Sequence, residues 1–125
     1  MDRTRSHAPE GAGGAGLASF TIRRAGSESA PVLHVSGELD FFCVEELRTA
    51  LEEFTADAGE IVVDLRQLEY VDSSAVRCLI RASRHREATG SMLVCVARRG
   101  GTVRRVLDLV AGELLEIREV HQGVG

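Results

Sequence analysis

The chain has 125 residues, 44% of them apolar, and a formal net charge of −4 at pH 7. That length suits one compact domain and is too short for two of ordinary size. An acidic balance argues against a nucleic-acid partner, which demands a basic field, and the longest apolar run, Met92 to Ala97, falls far short of a membrane span.

All fifteen cationic side chains are arginine, which excludes Schiff-base chemistry and a P-loop lysine. The N-terminus has no apolar signal segment, so the expectation is a cytoplasmic protein. Cys43, Cys78 and Cys95 lie far apart without zinc spacing and read as reduced thiols. The four histidines (His7, His34, His85, His121) show no spacing for a metal or a triad and read as scattered surface residues. No metal and no cofactor are expected.

Residues 1–17 are rich in glycine and lack apolar periodicity, the composition of a flexible tail. The G-A-G-G-A-G run there has no preceding strand and no following Lys-Ser/Thr, so it is not a phosphate loop. Phe20 and Ile22 alternate with polar residues, and Val32-Leu33-His34-Val35 follows a turn at 25–30. Together they predict a hairpin. Val44, Leu47, Leu51 and Phe54 mark one face of a first helix, which Gly59 ends. Ile61 to Leu65 is a buried-type strand. Asp72-Ser73-Ser74 supplies N-cap residues for a second helix with Val76, Leu79, Ile80 and Ser83 inward and Arg77, Arg81 and Arg84 outward. That arginine stripe reads as a solvated face, with partner recognition the less favoured use. Gly90 stops this helix, and Met92 to Val96 is another buried-type strand. Gly100-Gly101-Thr102 opens a third helix carrying Val103, Val106, Leu107 and Val110, and Gly112 closes it. Leu115 and Ile117 supply a last edge strand. The order ββαβαβαβ requires an α/β fold: a single mixed sheet with helices packed on it and right-handed parallel crossovers.

Two junctions carry a resemblance. Gly37-Glu38-Leu39-Asp40 lies between the second strand and the first helix, and Val71-Asp72-Ser73-Ser74 lies between the third strand and the second helix. Together they resemble the G-E-[LI]-D and M-D-S-[ST]-G-[LI] signatures of STAS domains, as in bacterial anti-anti-sigma factors. The resemblance covers about residues 18–120 and leaves 121–125 as a C-terminal tail. It implies a non-enzymatic anti-sigma factor antagonist that binds an anti-sigma factor of histidine-kinase-type ATPase fold and so releases a sigma factor. It further implies that this partner phosphorylates Ser73, with Ser74 the second choice, and that a serine phosphatase reverses the modification. Glu38, Asp40, Phe41, Asp72, Ser74, Ala75 and Arg77 are the partner-binding candidates, and no residue is a catalytic or metal-binding candidate.

The chemistry of these positions stands beside the resemblance. A hydroxyl at a helix start lies beside unsatisfied N–H groups that favour an anion, and a phosphate adds about −1.5 to −2 charges to a contact surface. Asp72 either orients the serine and meets the partner's nucleotide-bound magnesium or is an ordinary helix-start residue; with both motifs present the functional reading leads. Glu38 and Asp40 are partner contacts or turn residues bonded to their own backbone. Phe41 and Phe42 are adjacent and cannot both bury on one helix face, so one is an exposed contact candidate. Ala75 replaces the glycine of the signature, and Val76-Arg77 stands where the family usually has an apolar residue and a glycine. Arg77 lies one helical turn from Ser73, where it clamps a phosphate, pairs with a partner carboxylate or obstructs a partner. Cys43 is a poor cap for the first helix.

An enzymatic reading fails on residues. A phospho-aspartate receiver built on Asp64 lacks its acidic pair and its lysine, and a serine hydrolase lacks G-x-S-x-G. The remaining alternative is a non-switching STAS interaction module of a lipid-transport ATPase or a stress-signalling complex.

Overall fold

Alternation of buried and accessible residues marks β-type segments at 20–26 and 31–39, while the run at 92–98 is buried through its middle. The computed structural model describes residues 3–7, 20–54 and 59–120. Strands β1 (Arg3–His7), β2 (Phe20–Gly26), β3 (Pro31–Leu39), β4 (Glu60–Val71), β5 (Met92–Arg98) and β6 (Glu116–Val120) form one sheet in that spatial order. The first three pair antiparallel and β3 through β6 pair parallel. Helices α1 (Val44–Glu52), α2 (Ser73–Ala88) and α3 (Thr102–Ala111) make the crossovers between the parallel strands, since parallel neighbours need a long return path. The mixed α/β sheet expected from the sequence is the observed fold.

Register fixes which face is buried. Leu33, Val63 and Cys95 lie side by side across β3, β4 and β5. They share a single core with Phe20, Ile22, Leu47, Leu79 and Leu107. Burial of each such aliphatic side chain contributes about 1.5–3 kcal/mol, and all three helices draw on the same core. The intervening row, His34, Asp64 and Val96, belongs to the opposite face.

The structure departs from the sequence expectations at three places. Residues 1–17 read as a tail, yet Arg3–His7 pair with β2 from Arg3 opposite Arg24 to His7 opposite Phe20. Edge pairing uses backbone groups and needs no apolar pattern, so composition did not announce it. Residues 8–19 and 121–125 lie outside the described residues. The second departure is the end of α1, which comes at Glu52 and not at Gly59. Arg86 of α2 donates from Nη2 to the carbonyls of Leu51 at 3.2 Å and Phe54 at 2.7 Å, closing that end from the neighbouring helix. The guanidinium is buried, and desolvation lowers its pKa.

The third departure is His34, which is not a scattered surface residue. Its Nδ1 lies 3.0 Å from Oδ2 of Asp64, a carboxylate only 5% exposed. Arg66 donates to Asp64 from Nε at 2.9 Å, from Nη2 at 2.7 Å and from its backbone N–H at 3.0 Å. Burial alone pushes the Asp64 carboxyl up, but the Arg66 hydrogen bonds and charge, with His34, outweigh it and hold it below its ordinary 3.8. A depressed folded pKa contributes stability that is present above the unfolded value and lost as pH falls through the folded one. Stability should therefore drop on acidification below about pH 3.8, and Asp64→Asn should flatten that part of the profile. Urea unfolding at a series of acidic pH values reads this directly. An equally steep acid limb in Asp64→Asn removes Asp64 as its source.

Candidate partner-binding site

Because β3 and β4 are parallel, their C-terminal ends fall on one rim. Leu39 stands opposite Val71 and Glu38 opposite Tyr70, and the Asp72 N–H donates to the Leu39 carbonyl at 3.2 Å. Segments 37–40 and 71–74 are thus neighbours. The register shifts between Gly37 and Glu38, where β4 carries an extra residue. Gly37 adopts φ +91° there, a conformation that a side chain disfavours.

Asp72, not Ser73, is the N-cap of α2. Its Oδ1 accepts from the Ala75 N–H at 3.1 Å and from the Ser74 hydroxyl at 2.6 Å. Asp72 thus holds the Ser74 hydroxyl and not that of Ser73. Ser73 is the first helical residue, half-buried, and its hydroxyl makes no hydrogen bond among the described residues. The N–H groups of Ser73 and Ser74 have no acceptor within the helix. Ala75 is fully buried. Its methyl packs into the core, which removes it from the surface candidates. Arg77, one turn on from Ser73, is exposed and makes no ion pair among the described residues. The Arg77, Arg81 and Arg84 stripe faces outward as expected.

On the other side of the rim Asp40 caps a 3-10 turn, Phe41–Cys43, by accepting from the Phe42 N–H at 3.0 Å. The backbone-bonded reading of Asp40 is therefore realised, while Glu38 is exposed. Both phenylalanines are on the surface, Phe41 at 67% and Phe42 at 81% exposure, where one was expected. Their rings meet edge to face with centroids 5.6 Å apart. The turn explains this: it buries Cys43 and turns its two preceding side chains out. Cys43 makes no side-chain cap for α1. Its thiol is pushed up to about 11, chiefly by burial, which leaves it inert. Neither the cap role of Asp72 toward Ser74 nor the second exposed phenylalanine was found in the sequence. The i, i+2 spacing of Asp72 and Ser74 is the signal for the former.

The chain belongs to the STAS domain family: the family model described as "Mlab, STAS domain" matches residues 22–113. No curated protein sequence matches it. Among solved structures it is similar to an anti-sigma factor antagonist from Mycobacterium paratuberculosis, at 22% identity and a TM-score of 0.66, over 78% of this chain and 84% of that one. It is also similar to the anti-sigma factor antagonist SpoIIAA in its unphosphorylated form, at 21% identity and a TM-score of 0.60, covering 81% and 88%. The phosphorylated form of SpoIIAA, a Bacillus cell fate determinant, gives 19% identity and a TM-score of 0.60, covering 81% and 92%. Among the described residues, no helix is long and apolar enough to cross a membrane.

Proposed function

We propose that the chain is an anti-sigma factor antagonist, a regulatory binding protein and not an enzyme. It binds an anti-sigma factor of ATP-using, histidine-kinase-type fold, frees a sigma factor, and is released when that partner phosphorylates Ser73. A serine phosphatase restores the binding form. The observation that carries this reading is the uncommitted Ser73 hydroxyl on the rim where segments 37–40 and 71–74 meet. Asp72 holds the other serine, so of the adjacent hydroxyls Ser73 is the one left for an external phosphoryl donor. Exposed Phe41 and Phe42 give that rim an aromatic anchor of the kind that concentrates binding energy.

The test is recovery of partners from the protein's own cells with a Ser73→Ala bait, followed by incubation with ATP. The expected retained protein is an ATPase of histidine-kinase type that phosphorylates the unsubstituted chain. Phe41→Ala and Phe42→Ala together should weaken its binding about tenfold or more without lowering the melting temperature, since both rings are already exposed. Retention of a lipid-transport ATPase or a stress-signalling complex, with neither serine modified, replaces this reading with the non-switching STAS module.

A further inference from the structure

The outer face of α2 differs from those of its two neighbours. Arg77, Arg81 and Arg84 follow one another at i, i+4 and i+7, all exposed and without an ion pair among the described residues. Like charges at these spacings repel, and Glu87 is the single carboxylate of the helix. On α1, by contrast, Arg48 is paired with both Glu45 and Glu52. On α3, Arg104 is paired with Asp108 at 3.2 Å. A chain whose acidic side chains outnumber its arginines thus leaves the arginines of α2 facing one another.

α3 adds an apolar edge to this face. The two helices pack side by side and run in the same direction, since each returns from the end of one parallel strand to the start of the next. Arg104 reaches Glu119 of β6 at 3.4 Å, which turns that flank of α3 toward β6. Val106 and Leu109 occupy the other flank, toward α2. Val106 is partly buried against the core, whereas Leu109 is 79% exposed. Arg105, one turn before Leu109, is also exposed and without an ion pair among the described residues.

We propose that this face, the outer side of α2 with Arg105 and Leu109 of α3, docks an acidic amphipathic helix of a partner protein. The partner's carboxylates meet Arg81, Arg84 and Arg105, and an apolar side chain of the same helix covers Leu109. Guanidinium forks pair bidentately with carboxylates, and that pairing removes the repulsion along α2. The stripe from Arg77 to Arg84 is roughly 10 Å long, the length of two helical turns. An anionic membrane fits less well: the chain carries a net charge of −4, and Leu109 with Val106 offers little apolar surface to insert. The face uses neither Ser73 nor Phe41 and Phe42, so it does not rest on the proposed kinase partner. Arg77 stands between the two surfaces and is left out of the test.

Amide NMR titration of the full-length chain with a synthetic two-heptad peptide, leucine on one face and glutamate on the other, tests this face. Saturable shifts are expected at Arg81, Arg84, Arg105 and Leu109, and binding should weaken as sodium chloride is raised. Arg81→Glu should weaken it about tenfold or more. Arg118→Glu makes the same change of charge on the sheet face away from the helices and should alter binding less than about twofold. A peptide carrying lysine for glutamate should reverse the order, binding Arg81→Glu better than the unsubstituted chain. Leu109→Ser should weaken binding with its salt dependence retained. Preserved dispersion of the amide spectrum verifies that the variants are folded. Shifts that do not saturate, equal binding of the two peptides by the unsubstituted chain, or full-strength binding by Arg81→Glu overturn the proposal. So does tighter binding of phosphatidylglycerol vesicles than of the peptide through the same amides, which makes the face a membrane contact.

Discussion

Phosphorylation of Ser73 is expected to weaken binding of the anti-sigma factor by about two to three decades. The hydroxyl lies at the start of α2 with no hydrogen-bond partner among the described residues, beside the N–H groups of Ser73 and Ser74. A phosphate can be held there without unfolding the helix. What it changes is the contact surface, adding about −1.5 to −2 charges close to Asp72 and opposite whatever the partner presents. Ser73→Ala should abolish phosphate incorporation and keep binding, because it adds no charge. Ser73→Glu should weaken binding less than the phosphate does, since it brings one charge. Ser74→Ala should behave differently: it removes the 2.6 Å bond to Asp72, so it should lower stability by about 0.5–1.5 kcal/mol while leaving phosphorylation intact. Mass spectrometry after incubation with the partner kinase, paired with binding titrations of the four proteins, reads all of this. Phosphate on Ser74 with Ser73 clean moves the switch by one residue and makes the Asp72 carboxylate its activating base. Arg77→Ala adds a finer reading. Weaker binding of the unmodified protein places Arg77 against the partner, and loss of stability confined to the phosphorylated protein places it on the phosphate.

The largest stability effect on the helical side is expected at Arg86. Its Nη2 serves two carbonyls at the end of α1, Leu51 and Phe54, from within the α2 packing surface. Arg86→Met keeps most of the aliphatic stem and removes the guanidinium, leaving both carbonyls without that donor. Charged hydrogen bonds contribute about 1.5–3 kcal/mol, and a stranded buried acceptor costs more. A loss of about 2–4 kcal/mol is expected, equivalent to a fall in Tm of roughly 10 °C for a domain of this size. Arg84→Met, on the exposed stripe of the same helix, should change stability by less than about 0.5 kcal/mol. Chemical denaturation of both variants decides it. If they match, the α1 end is satisfied by solvent and Arg86 is dispensable.

The sequence by itself determined the alternation in β2 and β3, the helical faces of α1, α2 and α3, and the parallel crossovers. Each depends on local periodicity and on connection length, which are written in consecutive residues. It also placed Gly37–Asp40 and Val71–Ser74 at strand-to-helix junctions. Only the tertiary structure decided which hydroxyl at the α2 start is free. Asp72 has both serines within reach in sequence, and the cap geometry selects Ser74. Arg86 reads as one more arginine of a basic helix until α1 is packed beside it, 32 to 35 residues away in sequence. The Arg66–Asp64–His34 group requires the register of β3 on β4. Arg3–His7 gain their pairing from an open edge of β2 that their own composition does not reveal. In all these cases the partner is distant along the chain. A polar group's satisfaction depends on what folding brings to it, whereas an apolar stripe is visible in the residues that carry it.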